Sequence, residues 1–172
     1  MQSNLNCFDL DRFRANLPYP SVAVPKPNLQ YAKLISTAYA GRGSETTAFT
    51  QYVSHSYFAE EYADIYNAYH CIASVELTHI YLLGHLIKKL GAFPRFISYK
   101  TNQFWNGSFP SYCRDLVPIL QSDIEEEHRA IAHYKQLIGQ IDNESIQNLL
   151  RRIILDEEKH IEVLNAFLKR FT

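Results

Sequence analysis

One pattern of acidic, aromatic and imidazole side chains occurs twice in this chain of 172 residues. In the first copy Glu45 stands seven residues before Tyr52, and Glu76 stands three residues before His79. The second copy repeats these spacings at Glu127, Tyr134, Glu157 and His160. The two leading glutamates are 31 residues apart in the first copy and 30 in the second. A single Glu-x-x-His is common on helix surfaces, but a duplicate at matched distances indicates a functional site rather than incidental surface residues.

The spacings of this pattern fit α-helices. Residues three apart share a helix face, so each Glu-x-x-His directs one carboxylate and one imidazole to the same point. Four carboxylates and two imidazoles from four helices are the ligand set of a carboxylate-bridged dinuclear metal centre in a helical bundle. We therefore predict six metal ligands: Glu45, Glu76, His79, Glu127, Glu157 and His160.

Hydrophobic periodicity and helix-breaking residues predict where these helices run. Helices are predicted over residues 29–58, from a break near residues 59–61 to residue 90, and over residues 115–138 and 144–169. Gly41 and Gly43 weaken the first helix, and Gly91 and Pro94 end the second. In each hairpin the two leading glutamates lie about equally far from the turn, so antiparallel helices bring them level. The prediction is an all-α, four-helix bundle made of two helical hairpins.

Two segments lie outside the predicted helices. Residues 92–114 form a long irregular crossover between the hairpins, rich in aromatic side chains. Residues 1–28 contain four of the seven prolines, which favours an extended N-terminal arm preceding a bundle domain at residues 29–172. The apolar residues of the arm need cover, so we expect it to lie along the bundle or along a partner subunit.

The overall composition excludes several classes of protein. A net charge of −1 and a pI near 6.6 predict no attraction to nucleic acid or to an anionic membrane. No apolar run approaches the roughly 18 residues of a membrane span, and the N-terminus lacks a secretory signal, so we expect a cytoplasmic protein. The three cysteines form no Cys-x-x-Cys pair, which excludes a rubredoxin or zinc-ribbon module. Cys71 lies in an apolar helical run and is predicted to be a small core residue.

The predicted ligands favour particular metals. Hard oxygen donors with some imidazole and no thiolate suit iron or manganese better than zinc or copper. Four carboxylates balance two divalent ions when both histidines are neutral, so we expect two Fe or two Mn ions per chain. His79 and His160 would each complete one metal.

Three further residues are candidates for supporting the ligands. Tyr52 and Tyr134 lie two turns after a ligand glutamate, where each could bond a ligand carboxylate or act as a one-electron donor. The alternative is an ordinary core tyrosine. Asp156 directly precedes Glu157 and could orient a ligand histidine through its second ring nitrogen, although a solvated helix face is the alternative.

The chain resembles the ferritin-like superfamily and, within it, rubrerythrin-type proteins without a rubredoxin domain and manganese-catalase-like proteins. The resemblance lies in four segments: Tyr31-Ala-Lys-Leu, Tyr39-Ala-Gly-Arg-Gly-Ser-Glu45, Glu76-Leu-Thr-His79 and Ile154-Leu-Asp-Glu157-Glu-Lys-His160. It implies a dinuclear Fe or Mn centre that reacts with peroxide or dioxygen. It also implies that Glu76 and Glu127 bridge the two metals while Glu45 and Glu157 are terminal.

The chain departs from the rubrerythrins in two ways. Without a rubredoxin-like module, peroxide reduction would need an external electron donor. Rubrerythrins also carry a glutamate one turn before the ligand of the third helix, where this chain has Ile124. Both departures favour a more symmetric site, closer to that of a catalase or a ferroxidase.

These observations predict a dinuclear Fe or Mn oxidoreductase that acts on peroxide or dioxygen in a catalase-like or peroxidase-like manner. Two alternatives are a ferroxidase or iron-handling protein, and a structural coat-type protein whose metal site stabilises the bundle. By analogy with the superfamily, we expect a homodimer or higher homo-oligomer.

Overall fold

The computed structural model describes Cys7 and residues 9–172. Its helices are α1 (Leu29–Ala40), α2 (Glu45–Ser56), α3 (Ala63–Lys89), α4 (Leu116–Gln140) and α5 (Glu144–Leu168). The most extensive packing joins α2 to α3 and α4 to α5, as expected for two hairpins. The predicted four-helix bundle is confirmed, with α1 and α2 together taking the place of its first helix.

The first predicted helix is wrong in one respect, because residues 41–44 interrupt it. A side chain at Gly41 would collide with the carbonyl oxygen of Thr37, so the chain can turn here only through glycine. Ser44 then caps the new helix, its hydroxyl accepting a hydrogen bond from the N–H of Thr47 at 3.4 Å. The break makes Glu45 the first residue of α2.

The crossover contains a small hairpin that the prediction of an irregular link missed. Strands β1 (Ile97–Ser98) and β2 (Gln103–Phe104) pair antiparallel, with Ile97 opposite Phe104. Strands of two residues are too short to show an alternating pattern in the sequence. Beyond the hairpin, the indole N–H of Trp105 donates to Thr47 Oγ1 at 3.0 Å, which attaches the crossover to α2.

The N-terminal arm lies along its own bundle. After a 3₁₀ turn at Leu10–Arg12 it is extended as far as α1, and Tyr19 packs against the bundle core together with two valines. Arg152 of α5 secures it, donating to the carbonyl oxygens of Leu17 at 2.8 Å and of Ala15 at 2.7 Å. Residues 1–6 and 8 of the predicted arm lie outside the described residues.

Cys71 is a core residue, as predicted, but nothing in the sequence indicated that it is also half of a disulfide. It is buried, and its sulfur forms a disulfide with Cys7 across 64 residues of sequence, with the two Cα atoms 5.0 Å apart. The disulfide ties the start of the arm to α3. The third cysteine, Cys113, is free.

The core consists of two apolar clusters that divide each long helix. Along α3, residues 65–75 belong to one cluster and residues 80–90 to the other, and α5 shows the same division on either side of residues 156–160. The polar residues of the predicted site occupy the layer between the clusters. None of the described helices is both long enough and apolar enough to cross a bilayer.

Candidate metal centre

The six predicted ligands meet in one buried cluster between the two apolar layers. Each is at most 4% exposed, and both histidines are fully buried. Helix α2 contributes Glu45 and α4 contributes Glu127, while α3 and α5 each contribute one Glu-x-x-His. The helical spacing therefore brings together the residue set that the sequence singled out.

Each histidine directs its Nδ1 atom at three carboxylates. His79 Nδ1 lies 3.2 Å from Glu45 Oε2, 3.4 Å from Glu76 Oε2 and 3.3 Å from Glu157 Oε1. On the other side, His160 Nδ1 lies 3.1 Å from Glu76 Oε1, 3.0 Å from Glu157 Oε2 and 3.2 Å from an oxygen of Glu127. The residues form two groups of four: Glu45, Glu76, His79 and Glu157 in one, and Glu76, Glu127, Glu157 and His160 in the other. Within each group, atoms able to bind a metal lie within 4.8 Å of one another.

The two groups share Glu76 and Glu157, each of which offers one oxygen to either histidine. Glu45 belongs only to the His79 group and Glu127 only to the His160 group. The expectation that Glu127 bridges two metals stays a prediction; in this geometry Glu157, rather than Glu127, lies beside both histidines. The shared glutamates are those of the two Glu-x-x-His pairs, which project from facing helices α3 and α5.

The carboxylates crowd one another in a dry environment. Burial, followed by the carboxylates of Glu76 and Glu157, raises the pKa of Glu45 well above its usual value. Burial and the charge of Glu76 raise the pKa of Glu157 to about 8, and burial also raises that of Glu127. For Glu76 burial acts in the same direction, but the neighbouring Glu45 carboxyl and the two histidines prevail and lower its pKa. Although burial opposes their charge, the same carboxylates raise the pKa of His79 and of His160 well above the usual value. The four carboxylates thus favour positive charge at this site, whether from protons or from metal ions.

Divalent cations fit this donor set. Within the described residues, Glu76 Oε1 and both carboxylate oxygens of Glu157 accept no hydrogen bond although they are buried. Buried carboxylates without hydrogen bonds are costly, and metal ions can balance such charges. The unbonded oxygens are those of the two shared glutamates, where two metals would bind.

The two predicted tyrosines bond carboxylates in a crossed arrangement. The hydroxyl of Tyr52, on α2, donates to Glu127 of the other hairpin, and the hydroxyl of Tyr134, on α4, donates to Glu45. Both tyrosines are at most 2% exposed. Each therefore holds the glutamate that belongs to one group alone, and each joins the two hairpins through the site.

Asp156 contacts a histidine of the cluster, as its position suggested. Its Oδ2 lies 3.0 Å from His79 Nε2 and accepts a hydrogen bond from the hydroxyl of Tyr19 at 2.7 Å. Its Oδ1 accepts from Arg152 at 2.6 Å and from the backbone N–H of Ala15 at 2.7 Å. Although burial opposes its charge, these partners, His79 foremost, lower the pKa of Asp156 to about 2. The Asp156 carboxylate thus lies beside the ring nitrogen of His79 that faces away from the cluster.

The second histidine lacks such a partner. His160 Nε2 is buried and makes no hydrogen bond within the described part of the chain. The residue that corresponds to Asp156 in the first copy of the pattern is Val75, which is apolar and 1% exposed. The two halves of the site thus have equivalent ligands but different support.

Sequence reasoning missed a second buried polar cluster one turn from Glu127. Asp123 accepts hydrogen bonds from Gln51 at 2.8 Å and from the hydroxyl of Tyr69 at 2.9 Å, and its Oδ1 lies 2.9 Å from His55 Nδ1. The Tyr69 ring lies 5.6 Å from that of Tyr52. The only signal in the sequence was the position of Asp123 four residues before Glu127, on the same helix face.

Two adjoining cavities lead from the surface to the site. An inner cavity of about 30 Å³ is lined by four of the predicted ligands, namely Glu45, Glu76, Glu127 and Glu157. An outer cavity of about 640 Å³ lies between the end of α1, the residues that follow it, the β1–β2 hairpin and α4. Gly43, Glu126 and His133 line both cavities, so the two adjoin at these residues.

Comparison with known proteins gives three findings. The model of the ferritin-like domain family matches residues 43–172. A probable manganese catalase of Clostridium acetobutylicum is 25% identical over 159 residues, covering 81% of this chain and 70% of that protein. Among solved structures, KatB, a manganese catalase from Anabaena, has a TM-score of 0.83 at 23% identity, covering 92% of this chain and 80% of that one.

Bacterioferritins share the fold with lower structural similarity than KatB does. The bacterioferritin of Rhodobacter capsulatus has a TM-score of 0.71 at 20% identity, covering 85% of this chain and 88% of its own. At these identities the structural likenesses establish the fold alone.

Proposed function

The chain belongs to the ferritin-like domain family, and from this premise we propose that its buried cluster holds two Mn or two Fe ions and disproportionates hydrogen peroxide. The observation that carries the proposal is the pair of equivalent ligand groups that share Glu76 and Glu157. One metal would be held by this pair with Glu45 and His79, the other by the pair with Glu127 and His160. The relative in Clostridium acetobutylicum, a probable manganese catalase, supports the same chemistry.

A bound redox-active metal pair would accept two electrons from one peroxide and return them to another, so that two H₂O₂ give two H₂O and O₂. The chain prepares the ligands for this role. With Nε2–H of His79 donating a hydrogen bond to Asp156, the Nδ1 atom of the ring would be left free to bind a metal beside the carboxylates. The hydroxyls of Tyr52 and Tyr134 fix the orientation of Glu127 and Glu45.

The size of the inner cavity suits a small substrate. Its 30 Å³ is about twice the volume that one ordered water requires on the same measure, which leaves room for a molecule the size of hydrogen peroxide. Four carboxylates close its inner end and Tyr134 lines its wall. Larger hydroperoxides would be stopped in the outer cavity.

The charge of the outer cavity favours peroxide over iron as the substrate. Its lining carries Arg42, Lys100 and Arg129 against a single acid, Glu126. A positive approach repels Fe²⁺ but has little effect on neutral peroxide. Since iron oxidation and storage need a route for cations, the geometry supports peroxide disproportionation rather than ferroxidase activity.

The test uses protein purified without chelator from cells supplied with both metals. Elemental analysis should find about two Mn or two Fe per chain, and an oxygen electrode should record O₂ release on addition of peroxide. Binding of many more than two iron ions would point to iron handling instead. Two bound metals without reaction toward peroxide, with a bundle that unfolds on metal removal, would point to a structural role.

We also propose that the chain forms a homo-oligomer. The crossover exposes large apolar side chains at Phe93 (70%), Phe104 (57%) and Tyr112 (60%), which a second copy would cover. The bacterioferritin-related protein of Bacteroides fragilis, which has a similar fold, is a dodecamer. Light scattering coupled to size exclusion should give a mass of at least twice 20.0 kDa, and a monomer would refute the proposal.

A further inference from the structure

The outer cavity has features that passage of peroxide does not require. Its volume of about 640 Å³ lies within the range of small-molecule sites, about 300–1,000 Å³. Hydrogen peroxide needs only a small fraction of that space. The cavity adjoins the much smaller inner cavity, and Gly43 and Glu126 line both.

Two cations face this cavity without a protein counter-charge. In the part of the chain that the structure describes, no carboxylate lies within ion-pair distance of Arg42 or Lys100, whereas Arg129 is paired with Glu125 and Glu126. The Arg42 guanidinium lies 5.0 Å from the centroid of the Phe109 ring, a cation–π contact that holds it at the cavity wall. The two unpaired positive charges therefore lie on the segment that follows α1 (Arg42) and in the turn of the β1–β2 hairpin (Lys100).

The remaining lining adds neutral hydrogen-bonding groups. Thr37 Oγ1 donates to the carbonyl oxygen of Leu34 at 2.6 Å and lies 2.8 Å from His133 Nε2, which must then be the donor. Burial, and secondarily the charge of Lys100, lower the pKa of His133, so its ring is neutral. Hydroxyl and amide groups of the hairpin complete the wall: Ser98, Thr101 and Gln103.

We propose that the outer cavity is a binding site for a small oxyanion, a molecule bearing a carboxylate or phosphate group, seated on Arg42 and Lys100. Guanidinium and ammonium groups beside hydroxyls form charge-assisted hydrogen bonds with such anions. The ligand stops there because the inner cavity is too small and is walled by carboxylates, which repel it.

The position of the site gives it a consequence. An anion on Arg42 and Lys100 would share the outer cavity with Gly43 and Glu126, the residues at which this cavity adjoins the inner one. This consequence rests on the proposed function: the bound anion should compete with peroxide for access to the inner cavity, and so raise the KM for peroxide while leaving kcat unchanged. Binding itself requires no catalysis.

Equilibrium dialysis of the metal-loaded protein with radiolabelled inorganic phosphate, and separately with radiolabelled succinate, tests the site at constant ionic strength. Saturable binding of about one anion per chain is expected for at least one of the two. The double variant Arg42→Gln/Lys100→Gln should bind at least about tenfold more weakly, since it removes both cations that would form charge-assisted hydrogen bonds with the anion. Phosphate alone would identify a phosphate ligand, and succinate alone a carboxylate.

The matched control removes one arginine and one lysine elsewhere. Arg151 bonds only neighbours on its own helix and Lys26 is exposed in the arm, so Arg151→Gln/Lys26→Gln should bind as the wild type does. Unsaturable binding of both anions, or equal affinity of the Arg42→Gln/Lys100→Gln variant with a native circular dichroism spectrum, would overturn the proposal. Neither result depends on whether peroxide is the substrate, which oxygen release decides separately.

Discussion

The Oδ2 atom of Asp156 lies 3.0 Å from Nε2 of His79, on the side of the imidazole opposite its Nδ1 atom and the carboxylate cluster. No such carboxylate stands behind His160, whose Nε2 makes no hydrogen bond within the described residues. One metal position is therefore supported by a charged residue and the other is not. The N-terminal arm reaches the supported position, since Tyr19 and Ala15 both bond Asp156.

Asp156→Asn should weaken metal binding at the His79 position. Removing a carboxylate that orients a ligand histidine costs about 10–100-fold in metal affinity. Competition with a chelator should release one metal per chain early and the second at the wild-type concentration. Glu158→Gln, at an exposed position next to the ligands, is the control. Simultaneous release of both metals would contradict the asymmetry.

The shared position of Glu157 can be tested against the single-group position of Glu127. Glu157→Ala removes an oxygen from both metals and should reduce the metal content to well below one ion per chain. Glu127→Ala removes a ligand only from the His160 group and should leave about one ion. Inductively coupled plasma mass spectrometry on both purified variants distinguishes them. Equal losses would refute the assignment of Glu157 as the bridge.

Tyr134→Phe should keep both metals but change the behaviour of the centre. Its hydroxyl bonds Glu45, so the variant leaves a buried carboxylate short of one hydrogen bond, at a cost of about 1–3 kcal/mol. We expect altered turnover or faster inactivation by peroxide, followed with an oxygen electrode. Tyr52→Phe makes the equivalent change at Glu127. Loss of metal in Tyr134→Phe would show that the hydroxyl is needed to hold the ligands in place.

The place where the two cavities adjoin predicts a steric effect at Gly43. A Cβ atom there would lie 3.9 Å from Glu126 Oε2, an ordinary contact, so Gly43→Ala should retain activity. Gly43→Leu would fill the space where the cavities adjoin and should lower kcat/KM for peroxide by about tenfold or more, with the metal content unchanged. Wild-type kinetics in the leucine variant would mean that peroxide reaches the metals by another route.

The disulfide between Cys7 and Cys71 should stabilise the folded chain. It closes a loop of 64 residues, for which chain entropy gives a contribution of about 4 kcal/mol. Cys7→Ser should lower the free energy of unfolding measured in urea, as should a reductant added to the wild type. Cys113→Ser, which removes the free cysteine, is the control. A wild type whose stability is insensitive to reductant would contradict the prediction.

The six ligands could be predicted because helical geometry converts sequence spacing into a shared face. Glu76 and His79 meet for that reason, and the duplicate pattern brings Glu157 and His160 to the same layer. The identity of the bridge could not be read in this way, because it depends on how α4 and α5 are rotated and on side-chain rotamers. The family resemblance implied Glu127 as the second bridge, whereas the geometry places Glu157 beside both histidines.

Contacts between distant residues were also beyond the sequence. Asp123 and His55 are 68 residues apart, and neither lies in a repeated pattern. Arg152 donates to the backbone carbonyl of Leu17, 135 residues away in the sequence. Because every residue has such a carbonyl, the identity of the side chain at residue 17 gives no sign of this contact. The break at Gly41 was visible as a weakness, but its extent depends on a steric contact with Thr37 that only the folded chain reveals.

The most direct test of the central claim is an anomalous diffraction experiment on crystals of the metal-loaded protein, recorded at the Mn and Fe absorption edges. The account predicts two anomalous peaks per chain, one beside Nδ1 of His79 and one beside Nδ1 of His160, with Glu76 and Glu157 bridging them. A single peak, or two peaks bridged by Glu127 in place of Glu157, would contradict it.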